Sequence, residues 1–84
     1  MELKEQFEKA VAGSKMLSSK PDNTTLLSLY SLYKQATEGD AGDAPSNPFD
    51  FVAKAKHNAW EGQKGKSKDA AMQEYIDLVE KLKG

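Results

Sequence analysis

The sequence contains no cysteine and no arginine, and it has no apolar run longer than a few residues. Without cysteine, the chain has no disulfide framework, no thiolate metal site and no thiol nucleophile. Its apolar runs are too short to span a membrane, and its first residues lack the apolar core of a secretory signal. We therefore expect no membrane span and a cytoplasmic location.

The chain is also short and almost neutral. Its 84 residues include 12 lysines and 13 acidic residues, which give a formal net charge of −1. A chain of this length buries a small core and is too short for a dinucleotide-binding fold, a barrel or a kinase. The near-neutral charge argues against nucleic-acid binding by phosphate neutralisation. We expect one domain, residues 1–84, and a monomer.

Apolar residues recur every three or four positions in four segments, and no segment alternates with the period of a strand. The spacing predicts helices over four ranges: 2–17, 23–38, 51–64 and 68 to the end. A loop over residues 40–48, which holds two of the three prolines, separates the second and third helices. The other connections are short, so the sequence predicts an all-α four-helix bundle.

Residues at the ends of these segments support the helix boundaries. Three of the helices follow side chains that commonly cap a helix N-terminus: Asp22 or Asn23, Asp50 and Ser67. Gly39 and Gly65 are expected to end the second and third helices, because glycine favours the backbone conformation found just after a helix.

The predicted second helix has more apolar surface than a core requires. At about 100° per residue, four positions form an ordinary core stripe: Leu29, Leu32, Tyr33 and Ala36. Three further residues widen the apolar arc to about 220° and form what we call the apolar flank: Leu26, Leu27 and Tyr30. Lys34 lies within this flank. The expected solvent side is marked by three polar residues: Ser28, Ser31 and Gln35.

The third and fourth helices show related patterns. The apolar face of the third helix has four members: Val52, Ala55, Ala59 and Trp60. Lys56 lies within that face, whereas Lys54 lies about 160° away and should face water. The stripe on the fourth helix contains Met72, Tyr75, Leu78, Val79 and Leu82, with Tyr75 near its middle.

Lysines and tyrosines on apolar faces indicate a particular kind of ligand. Any one of them is also consistent with a lysine stem lying on apolar surface or a tyrosine packed in a core. Taken together, an apolar groove edged by ammonium and phenol groups suits a phosphate-bearing head attached to an apolar tail. Lysine binds phosphate as a point charge and does not need the fork of arginine.

Three segments closely resemble the acyl-CoA-binding protein family: YSLYKQATEGD (30–40), KAKHNAW (54–60) and KGKSKDAAMQEYIDLVEKL (64–82). The resemblance covers essentially the whole chain. It implies an up-down-down-up four-helix bundle that binds medium- and long-chain fatty acyl-CoA esters reversibly. It also implies intracellular transport and pool maintenance of these esters, with no catalysis and no cofactor.

The resemblance further implies roles for nine residues. Tyr30, Lys34 and Lys56 would hold the adenosine 3′-phosphate and the adenine of CoA. Lys15 would serve the head group. The groove would be lined by two tyrosines, Tyr33 and Tyr75, and the acyl chain would be covered by three apolar residues, Val11, Leu26 and Leu27.

Two other classes of function are open from the residues alone. The first is an enzyme that uses His57, the sole histidine, with Ser46 or Ser67 as nucleophile. No orienting partner or oxyanion-binding element accompanies these residues in the sequence, and Ser67 is better explained as a helix cap. One histidine with scattered carboxylates also matches no metal-ligand spacing, so we expect no metal site.

The second alternative is a helical protein–protein interaction module. In that interpretation the apolar flank of the second helix docks a partner helix. Lys34 and Lys56 argue against it, because a groove for a partner helix has no reason to place two lysines within apolar stripes.

Overall fold

A computed structural model describes residues 2–43, 47 and 49–83 of the chain. These residues form four α-helices: α1 (Leu3–Ser14), α2 (Asn23–Glu38), α3 (Phe51–Glu61) and α4 (Lys68–Lys83). The described ranges contain no strand. The predicted all-α fold is therefore confirmed. Of the predicted loop, residues 44–46 and 48 lie outside the described residues, and the others belong to no helix.

Contacts between helix ends give the directions of α1, α2 and α4. Gly13, near the end of α1, lies beside Lys83, at the end of α4, so α1 and α4 point the same way. The side chain of Gln35, near the end of α2, donates a hydrogen bond to the carbonyl of Lys66, just before α4, at 2.7 Å. Helix α2 therefore runs antiparallel to α4.

The direction of α3 follows from a hydrogen bond to the end of α2. The indole Nε1 of Trp60, near the end of α3, donates to the carbonyl of Gly39, just after α2, at 2.8 Å. The two helices are therefore parallel, and the bundle runs up, down, down and up, as the resemblance implies. Among the helices, α3 packs only on α2, whereas α2 and α1 both pack on α4.

Side-chain caps start three of the helices where the sequence predicts them. Each capping oxygen accepts a hydrogen bond from the backbone N–H three residues later: Asp22 at 2.8 Å, Asp50 at 3.0 Å and Ser67 at 3.1 Å. Helix α2 ends at Glu38, and Gly39 follows with a φ of 83°. Residues that carry a Cβ atom rarely adopt a positive φ, which explains why a glycine ends the helix.

Two helices are shorter than predicted. Helix α1 ends at Ser14 and not at residue 17, because the next two backbone N–H groups bond to carbonyls three residues back. Helix α3 ends at Glu61 and not at residue 64, and the N–H groups of residues 63 and 64 bond in the same way. These tighter turns do not continue an α-helix.

The apolar core lies between α1, α2 and α4. It consists of eight buried residues: Phe7, Ala10, Leu29, Leu32, Ala36, Ala71, Tyr75 and Val79. The rings of Phe7 and Tyr75 meet edge to face, with 5.2 Å between their centres, an arrangement favoured by aromatic pairs. Helix α3 adds no residue to this core, and the apolar side chains at its start, Phe51 and Val52, are exposed.

The predicted solvent side of α2 is wrong at two positions. Ser31 and Gln35 are fully buried. Ser31 Oγ accepts a hydrogen bond from Gln63 Nε2 at 3.1 Å, and Gln35 Nε2 donates to Asp40 Oδ1 at 2.8 Å. Helix α3 and the connection to α4 pack against this side of α2, so protein groups replace water as partners.

Candidate ligand-binding site

Two lysines from different helices approach the ring of Tyr30. Lys34 Nζ lies 6.0 Å from the ring centre, and Lys56 Nζ lies 5.3 Å from it. Lys34 Nζ also lies 5.4 Å from the ring centre of Trp60. The faces of aromatic rings attract cations at such distances. The packing of α3 on α2 therefore gathers two positive charges around one aromatic ring.

The ammonium of Lys34 also makes an ion pair with Glu38, one helical turn further along α2. Lys34 Nζ donates to Glu38 Oε2 at 2.5 Å, and the two side chains are 28% and 52% exposed. This hydrogen bond is the largest cause of a pKa for Lys34 that lies above its ordinary value. The sequence interpretation missed Glu38, although its spacing of four residues from Lys34 was a usable signal.

A first groove lies between α1, α2 and α4. Its volume is about 480 Å³, within the usual range of small-molecule sites. It is lined by Val11, Ser14, Lys15, Leu26, Leu29, Tyr30, Tyr33 and Tyr75. Six of the nine predicted site residues are among them, and Lys15 lies just after the end of α1.

A second groove lies between α2 and α3. It has a volume of about 440 Å³ and is lined by Asn23, Leu26, Leu27, Tyr30, Phe51, Val52, Ala55 and Lys56. Leu26 and Tyr30 also line the first groove, so the two grooves meet at these side chains. Phe51 and Val52, which are 73% and 66% exposed, present apolar surface here. Phe51 and Asn23 were missed because each precedes the apolar pattern of its helix.

Lys34 is the one predicted site residue that lines neither groove. It lies above the ring of Tyr30, where the grooves meet. Lys54 is exposed on α3, as predicted, and also lines neither groove. Lys56 is exposed as well, so contact with Tyr30, and not burial, distinguishes it from Lys54.

Two of the predicted tyrosines have surroundings that differ from the sequence interpretation. Tyr33 is 40% exposed, so its assignment to the core stripe is wrong, and its ring stacks on Phe7 at 6.0 Å between centres. Tyr75 is buried, and its hydroxyl donates a hydrogen bond to Ser14 Oγ at 3.0 Å. Tyr75 therefore offers the first groove its ring more readily than its hydroxyl.

The chain is similar to proteins of one known family over most of its length. Residues 4–79 match the family model described as acyl CoA binding protein. The chain belongs to this family. It is 47% identical over 78 residues to the acyl-CoA-binding protein homolog of Drosophila melanogaster, covering 93% of this chain and 91% of that protein. It matches the crystal structure of acyl-CoA-binding protein 2 from Oryza sativa with a TM-score of 0.90 at 39% identity, covering 96% of this chain and 90% of that one.

A further relative is an enzyme. The chain is 45% identical over 78 residues to enoyl-CoA delta isomerase 2 of Rattus norvegicus, but the match covers only 20% of that protein. Membership of the acyl-CoA-binding protein family confirms the resemblance and does not favour the protein-interaction alternative. The family is one of binding proteins, and the similarity to the isomerase is confined to a small part of that enzyme.

Two of the residues considered for catalysis, His57 and Ser67, have structural partners. His57 is buried; its Nε2 lies 3.0 Å from the carbonyl of Gly42, and its Nδ1 lies 3.3 Å from Glu61 Oε2. Ser67 caps α4, and Ser46 lies outside the described residues. In residues 2–43, 47 and 49–83 there is no group of three or more potential metal ligands. Among the described residues, every helix is too short or too polar to span a lipid bilayer.

Proposed function

We propose that this chain binds medium- and long-chain acyl-CoA esters reversibly and carries them in the cytoplasm. In this proposal residues 1–84 act as one binding unit, as a monomer and without catalysis. One observation carries the proposal for the site: the ammonium groups of Lys34 and Lys56 lie above the Tyr30 ring, where two apolar grooves meet. A ligand with a phosphate-bearing head and an apolar tail uses both features at once.

The head of the ligand would bind around Tyr30. Lys34 and Lys56 would bind the 3′-phosphate, and each charge-assisted contact contributes about 1.5–3 kcal/mol. The ring of Tyr30 offers a flat surface for stacking of the adenine. Lys15, at the rim of the first groove, would bind another part of the head group.

The tail of the ligand would lie on apolar side chains. Leu26 belongs to both grooves, Leu27 lines the second, and Val11 lines the first. Burial of an acyl chain stabilises a complex by about 25 cal/mol per Å² of apolar surface. Tyr33 and Tyr75 would complete the wall of the first groove. Free CoA lacks this apolar contact, so it should bind much more weakly than its long-chain esters.

Transport of acyl-CoA esters requires only reversible binding, which these contacts can supply. The imidazole of His57 is buried, and its two nitrogens face the carbonyl of Gly42 and the carboxylate of Glu61, so neither nitrogen is open to take a proton from a bound ester. Native mass spectrometry with palmitoyl-CoA tests the proposal. We expect one intact ester bound to one chain after prolonged incubation. The absence of a complex, a complex of two chains, or conversion of the ester would each contradict one part of the proposal.

A further inference from the structure

The charge that would bind the ligand phosphate already has an anionic partner. Lys34 Nζ donates to Glu38 Oε2 at 2.5 Å, and the pair is partly exposed beside Tyr30 and Trp60. Lys56 has no such partner: its ammonium makes no ion pair within the part of the chain that the structure describes. The two lysines at Tyr30 are therefore not equivalent before a ligand binds.

We propose that Glu38 competes with the ligand phosphate for the ammonium of Lys34 and thereby lowers the affinity of the site. This inference rests on the proposed function and adds a residue that limits the affinity. A phosphate that reaches Lys34 must either displace the carboxylate of Glu38 or share one ammonium with it. Sharing brings two anions together, and displacement breaks the ion pair, so both routes reduce the net gain from the phosphate contact.

The size of the effect follows from the exposure of the pair. An exposed ion pair contributes little to free energy, so removing Glu38 should tighten binding by about two- to fivefold. The effect should be specific to ligands that carry a phosphate at Lys34. It should also shrink as salt concentration rises, because salt screens exposed charges.

The test compares Glu38→Gln with a matched control. Glu74→Gln removes an equally exposed carboxylate, which pairs with Lys66 Nζ at 2.8 Å in a pair whose side chains are 24% and 50% exposed. Both variants change the net charge by the same amount, but only Glu38 contacts Lys34. Isothermal titration at low salt measures the affinity of the wild type and both variants for palmitoyl-CoA and for palmitoyl-3′-dephospho-CoA.

We expect Glu38→Gln to bind palmitoyl-CoA about two- to fivefold more tightly than the wild type. Its affinity for the dephospho ester should equal that of the wild type, and Glu74→Gln should bind both esters with wild-type affinity. Equal or weaker binding of palmitoyl-CoA by Glu38→Gln would overturn the inference while leaving the proposed function intact. Equal tightening for both esters, or for both variants, would also overturn it, because the effect would then be one of general charge. If the wild type bound neither ester, the proposed function would be wrong, and this inference with it.

Discussion

Lys56 Nζ, on α3, lies 5.3 Å from the centre of the Tyr30 ring, on α2. The two residues are distant in sequence, and they meet because α3 packs along α2 in the same direction. Lys34 approaches the same ring from within α2. The candidate site thus takes one positive charge from each of two helices, so its geometry depends on how those helices pack.

Substitution of the lysines tests the assignment of the head-group site. Lys34→Ala and Lys56→Ala should each weaken palmitoyl-CoA binding by about 2 kcal/mol, or roughly 30-fold, because each removes a charged partner of the phosphate. The free energy of unfolding should change little, since both side chains are partly exposed. Isothermal titration gives the affinities, and urea unfolding gives the stabilities.

Lys54→Ala is the matched control for Lys56→Ala. It removes an exposed lysine of the same helix whose side chain lines neither groove. We expect Lys54→Ala to bind palmitoyl-CoA with the affinity of the wild type. Similar losses of affinity for Lys54→Ala and Lys56→Ala would contradict the assignment of faces on α3.

Two tyrosine variants should affect different properties: Tyr75→Phe the stability of the fold, and Tyr30→Phe the affinity for the ligand. Tyr75→Phe removes the hydrogen bond to Ser14 and should lower the free energy of unfolding by about 1 kcal/mol, with affinity nearly unchanged. The hydroxyl of Tyr30 makes no hydrogen bond within the described residues. Tyr30→Phe should therefore leave stability unchanged and weaken palmitoyl-CoA binding by about tenfold, through loss of a phosphate contact. Urea unfolding and isothermal titration distinguish these outcomes, and the reverse pattern would contradict both assignments.

The contribution of Asp40 to the free energy of unfolding should be lost at acid pH. Its carboxylate accepts hydrogen bonds from the backbone N–H of Gly65 at 2.9 Å and from Gln35 Nε2 at 2.8 Å. These bonds lower the pKa of Asp40 below its ordinary value of 3.8. Because the folded-state pKa is the lower one, the contribution to stability is fully present above pH 3.8 and is lost as the pH falls through the folded-state pKa.

The comparison with Asp40→Asn measures this contribution. The amide oxygen of asparagine can still accept hydrogen bonds but does not titrate in this range. We expect urea unfolding to show a steeper acid loss of stability for the wild type than for Asp40→Asn, so that the difference between them narrows below pH 3.8. An equally steep loss in the two proteins would show that Asp40 makes no such contribution.

Local signals in the sequence predicted the starts of three helices and many of the residues that line the candidate site. Asp22, Asp50 and Ser67 cap helices because their side chains satisfy nearby N–H groups, whatever the rest of the fold does. The apolar flank of α2 was recognised because it exceeds what a core requires. Its residues Leu26 and Tyr30 line both grooves.

Features that depend on tertiary packing could not be predicted in this way. A helical wheel records which side of α2 is polar, but it does not show that α3 and its following turns cover Ser31 and Gln35. The same limitation concealed the burial of His57, whose partner Gly42 lies in a separate loop. The ion pair of Lys34 with Glu38 is different, because its spacing was visible in the sequence.

Isothermal titration of the wild-type protein with palmitoyl-CoA, CoA and palmitate tests the central claim most directly. The account requires both the phosphate contacts at Tyr30 and the apolar contacts of the grooves. It therefore predicts tight binding of palmitoyl-CoA at one site per chain, with CoA and palmitate each binding far more weakly. Folded protein that gave no binding signal with micromolar palmitoyl-CoA, or that bound palmitate as tightly as the ester, would contradict the account.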